Sequence, residues 1–273
     1  GVVQDNLATL EKDGIVTAAA VIGTGVEMRI KQGRIIADIK SLLPSNEFVI
    51  AQWNGPRQKL GAFEKFAKAK MDKLQPLSEF TKGGPAKWPK PVTTRGKLGL
   101  TPGAYVVDTI TIPENNPWNS WIRCSGFDFF KEGKSAAICS VTGDVWIVSG
   151  IDESLMELKW RRFATGLFQP LGLKIIDDKI YVLGRDQITR FHDFNNDGEA
   201  DYYENFNNDI SISNHYHEFC MNLSTDAEGN FYFPKGGNLG PATIPHHGCL
   251  VKVNKDGSQM EIIATGHRAP NGM

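Results

Sequence analysis

No two of the four cysteines, Cys124, Cys139, Cys220 and Cys249, stand at C-x-x-C spacing. A zinc ribbon, a thioredoxin-type pair and a c-type haem attachment within these residues are therefore disfavoured. Long apolar runs are missing too. The best candidates, Ile15 to Ile22 and Ala136 to Val148, are short or broken by Thr142, Gly143 and Asp144. A bilayer needs roughly 20 apolar residues, so no membrane span is expected. Neither sign of charge is in excess: 30 Lys and Arg face 31 Asp and Glu, a net charge of −1. So neutral a chain does not draw nucleic acid or an anionic membrane surface, and no nucleic-acid partner is expected. Gly1-Val2-Val3-Gln4 has no initiator Met, basic leader or cleavage motif, and the chain stops at Asn271-Gly272-Met273, just past a turn-like Arg268-Ala269-Pro270. These ends read as a fragment of a longer protein, a mature secreted piece.

What is present is an ordinary globular composition: 273 residues, 41% hydrophobic and 22% charged, enough for two modest domains or one large one. Residues 1–80 read as a β-rich module, the end of a larger domain. Val16 to Ile22, Val26 to Ile30, Arg34 to Ile39 and Phe48 to Trp53 are short runs rich in β-branched and aromatic residues, punctuated by Gly23, Gly25, Gly33, Pro44, Asn54 and Gly55. Leu60, Phe63, Phe66, Ala67, Met71 and Leu74 recur at helical spacing and predict one helix. Residues 81–117 read as a linker and lead-in strand. Three prolines and two glycines fall between Thr81 and Pro91, which rules out a regular element there.

From residue 118 to 273 a pattern repeats: an apolar strand, a tight polar turn and a second apolar strand. The copies are Gly126 to Phe130 with Gly143 to Val148, Leu171 to Ile176 with Asp177 to Leu183, and Phe219 to Leu223 with Asp226 to Phe233. They start roughly 45–50 residues apart, the period of four-stranded propeller blades. The expected fold class is mainly all-β, with about three blades of an incomplete β-propeller. Trp118, Trp121, Trp146, Trp160, Phe127, Phe129 and Phe130 are expected in blade cores, since strand periodicity accounts for them. Cys124 and Cys139 flank a turn-like Lys131 to Lys134. They read as a cross-hairpin disulfide in an oxidising compartment, or as buried thiols.

The run from His247 through Val253, the Asp256-Gly257 turn and Glu261 to Gly272 carries a resemblance. It resembles the blade signature of the glucose/sorbosone dehydrogenase family, which ends in a Gly-x-Arg-Asn-Pro-x-Gly loop. Ser125 to Phe130, Gln169 to Lys174 and Arg185 to Arg190 are more specifically similar to large secreted bacterial proteins known as membrane-bound dehydrogenases. Those proteins carry a haem-binding cytochrome c domain downstream. The resemblance implies a six-bladed propeller that binds pyrroloquinoline quinone, oxidises a sugar or alcohol, passes electrons to a cytochrome c and works in the periplasm or outside the cell. Haem is implied only in a downstream domain. Arg268 matches the loop's cofactor-contacting Arg, whereas Ala269 stands where the family has Asn, removing a polar contact. The family's base corresponds to His217 or His215, with His217 preferred and His215 beside the cofactor.

Two motifs carry chemistry of their own. Counting from Asp193, oxygen donors fall at Asn195, Asp197, Glu199, Asp201 and Glu204, with Gly198 at the sixth place. That spacing matches a calcium loop, in which the glycine allows a sharp turn and the last Glu closes the shell. The other reading is an Asx-turn loop with solvated carboxylates. His215 and His217 are expected on one face of a strand, with Glu218 opposite. An imidazole there suits proton abstraction near neutral pH. Zinc or copper ligation by His215, His217, His246 and His247 is a second reading, and polar histidines lining a loop a third. Arg161, Arg162 and Arg185 read as surface cations.

Overall fold

A computed structural model describes residues 1–40, 48–70, 77–237 and 244–272. Pro44, named above as punctuating two strands, and Met71 and Leu74, named above as helix positions, lie outside them. The protein is mostly β, built of several antiparallel sheets, none closed on itself. It divides into two compact units, Gly1–Lys82 and Gly83–Met273. Among the described residues no helix is long and apolar enough to cross a membrane.

In the first unit, β1 (Val2–Gln4), β2 (Leu7–Lys12), β3 (Ile15–Gly23) and β6 (Phe48–Pro56) form one sheet in the order β1-β2-β3-β6. A separate hairpin joins β4 (Val26–Lys31) to β5 (Arg34–Ile39). Two-residue turns, Asp13-Gly14 and Gln32-Gly33, fix the registers Lys12↔Ile15 and Lys31↔Arg34. Strands β1 and β2 were not foreseen, because residues 2–12 mix polar and apolar positions without a clean period. The helix α1 runs Leu60–Lys70. It buries Phe63 and Ala67 on Ala18 and Ala20 of β3, whose small side chains let it approach. Phe63 stacks on Trp53 of β6 at 6.0 Å.

The second unit holds three sheets in chain order. The first pairs β7 (Val92–Thr94), β11 (Leu158–Ala164), β10 (Val145–Ser149), β9 (Ser135–Ser140) and β8 (Cys124–Phe129). The next is β12 (Gly172–Ile176), β13 (Lys179–Leu183), β14 (Ile188–His192) and β15 (Tyr202–Asn207). The last is β16 (Ser224–Thr225), β17 (Phe231–Lys235), β18 (Cys249–Val253) and β19 (Met260–Thr265). One apolar layer lies between the first and second sheets, around Val145, Phe163, Leu173 and Phe191. Another lies between the second and third, around Tyr181, Phe206, Phe231 and Val251. The outer face of the first sheet buries Trp146 and Trp160 beneath Val92, Ile110, Ile112, Trp118 and Ile122 of the lead-in segment.

Three expectations are corrected. Trp121, Phe127 and Phe129 are exposed; the two phenylalanines stand on β8, an edge strand, and Trp121 on the segment before it. The third copy does not open on a strand at Phe219 to Leu223. Cys220 makes only a single bridge to Lys235, and the strand starts at Ser224. Arg185 is buried rather than solvated. Of the two cysteine readings, free thiols hold: Cys139, Cys220 and Cys249 are buried and Cys124 is exposed. A bulge sets Cys124 opposite Ser140 while Cys139 faces Gly126, and burial pushes the Cys139 thiol up to about 12.

The first strands of successive sheets touch through glycine. A Cβ on Gly172 would sit 2.6 Å from the carbonyl carbon and oxygen of Asn222, and one on Gly126 would sit 3.0 Å from the Leu173 nitrogen. The opposing atoms are backbone, so they cannot swing away. Gly172→Ala is therefore expected to destabilise the second unit by about 1–3 kcal/mol, as overpacking does. At Gly61, on α1, an added Cβ meets nothing within 4 Å, and Gly61→Ala is expected to stabilise the first unit by about 0.5–1 kcal/mol. Urea unfolding of the two variants beside wild type measures both.

Candidate functional site

The sequence-predicted histidines and Arg268 meet at one end of the second and third sheets. That end collects the Gly184–Gln187 turn between β13 and β14, the segment from β15 to β16, the residues flanking β17 and β18, and the chain leaving β19. Its foundation is a pair of buried charges. Lys235, the last residue of β17, and Glu218 are both fully enclosed, with Nζ and Oε2 3.7 Å apart. Buried charges survive only when paired and hydrogen-bonded. Lys235 donates to the Ser211 carbonyl, and Ser213 Oγ donates to Glu218 Oε2 at 2.8 Å. The other carboxylate oxygen, Glu218 Oε1, is buried without a protein partner.

This pair turns the histidines outward. The Glu218 amide donates to the His215 carbonyl at 3.3 Å, closing a turn over residues 215–218. His215 and His217 therefore stand on a turn and not on a strand, and the expected alternation across a strand does not hold. Glu218 points in, while Tyr216 and His217 are exposed. The Ser213 hydroxyl also accepts the His215 amide at 3.0 Å, and His215 Nδ1 accepts the His217 amide at 3.2 Å. His217 stacks on Tyr216 at 4.0 Å. Arg185 clamps the turn from below. It donates to the His215 carbonyl and to Gln169 Oε1, with its guanidinium over the rings of Phe219 (4.9 Å) and Phe168 (5.4 Å).

Gly236 and Gly237 draw the rest together. A Cβ on Gly236 would fall 2.7 Å from the His217 carbonyl and 3.3 Å from that of Arg268. The Gly237 amide donates to the Arg268 carbonyl at 2.8 Å, and its Cβ position lies 2.9 Å from His247 Cε1. The backbone carbonyls of His217 and Arg268 and the ring of His247 thus meet at Gly236-Gly237, and any side chain at 236 or 237 would run into them. Arg268 is exposed and Ala269 beside it carries no polar side chain. An anionic planar ligand such as pyrroloquinoline quinone would meet here the exposed side chains of Arg268 and His217 and the ring of His247. Lys235 and Arg185 are engaged inside, and Ala269 offers no polar side chain.

The calcium-type loop lies at the other end of β14, whose two ends are the Gly184–Gln187 turn and this loop. Asp193 accepts the amides of Asp197 (3.2 Å) and Gly198 (2.8 Å), and Asp201 those of Phe194 and Gly84 (2.8 Å each). Asn195 Oδ1 accepts the Asp197 amide, and Asn195 Nδ2 donates to the Gly84 carbonyl. Asp197 Oδ1 accepts the Glu199 amide at 3.0 Å. Glu199 reaches to the amides of Lys87 and Trp88 instead. Glu204 lies on β15 and pairs with Arg190 and His192. Asp193, Asn195, Asp197 and Asp201 so share one turn, and an oxygen that accepts one amide keeps a second lone pair for a cation. Among the described residues no three His, Cys, Asp or Glu side chains converge as a metal-binding group.

Sequence reasoning passed over Lys235, Ser211 and Ser213 and undervalued Arg185 and Glu218. The one available signal was a lysine closing the apolar run Phe231-Tyr232-Phe233-Pro234 directly before Gly236-Gly237.

No family model matches the chain, and no curated protein matches it. Among solved structures, a Trichoderma reesei protein of Carbohydrate-Active Enzymes Family AA12 is 11% identical. That match covers 63% of this chain and 42% of that one, with a TM-score of 0.39. Apo AztD from Citrobacter koseri is 10% identical over 96% of this chain and 59% of that one, with a TM-score of 0.29. The chain thus spans less than two thirds of either protein, and likenesses of this size bear on neither its fold nor its chemistry.

His246 provides a pH test of the site. Its Nδ1 accepts the Ser211 amide at 3.0 Å. Burial, then the charge of Lys235, hold it below the usual histidine value, against a smaller opposing pull from Asp209. The folded state therefore favours the neutral ring. Its contribution is complete above the ordinary value of about 6.5 and is lost as pH falls below it. Wild type is expected to lose melting temperature between about pH 7.5 and pH 5.5. His246→Asn, which keeps an acceptor and cannot titrate, should lose less. Equal losses would remove His246 from the pH response.

Proposed function

We propose that the second unit is part of a six-bladed β-propeller of the glucose/sorbosone dehydrogenase kind, acting as a quinone-dependent oxidoreductase on a sugar or alcohol. The observation that carries this reading is that the backbones of His217 and Arg268, distant in sequence, meet at Gly236-Gly237 and so bring the two residues to one end of the sheets. Three successive antiparallel sheets, one of five strands and two of four, packed through Gly126 and Gly172, support the propeller.

Arg268 would pair with a carboxylate of bound pyrroloquinoline quinone, with His215 and His247 at its edge. When bound, that cofactor supplies a two-electron acceptor for hydride. His217 would take the proton from the substrate hydroxyl, its ring held by Tyr216 and its backbone by the turn that Arg185 clamps. Electrons would then pass to a cytochrome c, with haem in a downstream domain and the whole protein in the periplasm or outside the cell. Calcium held by Asp193, Asn195, Asp197 and Asp201 would brace β14 at its far end and take no part in the chemistry. Ala269 favours one alternative. A site short of a polar contact also suits a propeller that binds glycans or proteins without turning them over.

The test is turnover of a panel of sugars and alcohols after adding pyrroloquinoline quinone, calcium and an artificial acceptor. His217→Ala is expected to reduce it about 10²–10⁴-fold, the usual contribution of a general base. Quinone binding without dependence on His217 would remove that residue from the mechanism, and no quinone binding at all would leave the binding module. Separately, calcium is expected to raise the melting temperature over that in chelator, by an amount worth about 2.7 kcal/mol at a hundred times its Kd. Asp197→Asn should abolish the rise, and an unchanged melt in wild type would overturn calcium at this loop.

A further inference from the structure

In the first unit, β6 is paired on one side only. It joins β3 from Ile15↔Pro56 to Gly23↔Phe48 without a bulge, and among the described residues no strand pairs with its other edge. A row of backbone donors and acceptors nine residues long is a template for another strand unless something blunts it. The usual blunting devices are absent. The edge has no charged side chain between Phe48 and Gly55, and its only proline, Pro56, is at the far end.

Both faces of this edge open into a groove. On the hairpin side a cavity of about 540 Å³ is lined by Ile50, Gln52 and Asn54 of β6 with Met28 and Ile35 opposite. On the helix side a cavity of about 580 Å³ is lined by Ala51 and Trp53 with Phe63 and Phe66. The residues of β6 alternate between the two, as strand geometry requires. An added strand would likewise send alternate side chains into one groove and the other. Ile50 and Phe66 are 38% and 52% exposed, so apolar surface is already waiting on both sides. The charge is one-sided. Lys12 and Arg34 line the hairpin groove and Lys59 the helix groove, and neither lining contains a carboxylate.

We propose that the open edge of β6 receives an extended peptide strand from a partner protein, apolar at alternate positions and acidic at the end that lies beside Pro56, where Lys12 and Lys59 stand. The partner would extend the β1-β2-β3-β6 sheet, as in other cases of strand addition. A second copy of β6 does not supply that charge, because no acidic residue lies between Phe48 and Pro56.

The probe is a fluorescein-labelled peptide of alternating valine and threonine with aspartates at one end, titrated with the protein and read by anisotropy. Saturable binding is expected. It should weaken at least about tenfold when alternate peptide amides are N-methylated, which removes strand pairing, and when lysines replace the aspartates. Ile50→Glu and Phe66→Glu, both at exposed positions, should each weaken it at least about tenfold while the melting temperature stays at the wild-type value. The proposal is overturned if the N-methylated peptide binds equally well or if neither substitution has an effect. It is also overturned if the protein forms a dimer in sedimentation that Ile50→Glu abolishes, because the occupant is then a second copy.

Discussion

Two charges without water govern the histidine–arginine end. Removing Glu218 and Lys235 from solvent costs several kcal/mol per ion, and their attraction repays it only if the remaining polar atoms are supplied. The surrounding chain supplies them. Ser213 serves Glu218 and then takes the His215 amide. Ser211 serves Lys235 through its carbonyl and gives its amide to His246. Satisfying one buried ion pair therefore fixes the backbone of residues 211–218 and ties it to β17 and to His246. Removing either partner would strand the other and release the turn that carries His217.

The orphaned Glu218 Oε1 gives this arrangement direction. An enclosed carboxylate oxygen without a protein partner is costly, and it belongs to the residue that ends the turn carrying His217. At the opposite end of β14 the carboxylates are met by backbone amides, some within the loop and others from Gly84, Lys87 and Trp88. One end of the second sheet is thus held by a buried ion pair and the other by amides alone.

Much of the strand pattern was legible in the sequence, since apolar alternation and turn residues report on local geometry. Strands β3 to β6, α1 and the hairpin β12–β13 all followed from such signals. What escaped depended on neighbours far along the chain. Phe127 and Phe129 look like core residues because their spacing says strand, yet exposure is decided by whether another surface covers that strand. Arg185 and Lys235 look like surface cations because burial of a charge is licensed only by partners such as His215 and Glu218, whose proximity no local pattern encodes. The turn at 215–218 was misread for the same reason. The residues His215 and His217 were the right ones to single out, but it is the inward pull on Glu218 that sets their orientation.

The segment from Gly84 to Trp88 gives its amides to Asp201 and Glu199, partners 117, 112 and 111 residues further on. A chain synthesised at about 5–20 residues per second leaves those amides without their acceptors for roughly 6–23 s. Strand β7, just downstream, waits in the same way for β11, 66 residues on at Trp160 and Thr94. The stretch of the second unit that is made first is therefore not the first to be fastened. Hairpins completed in the meantime close before it, and the stretch made earliest is fastened after them.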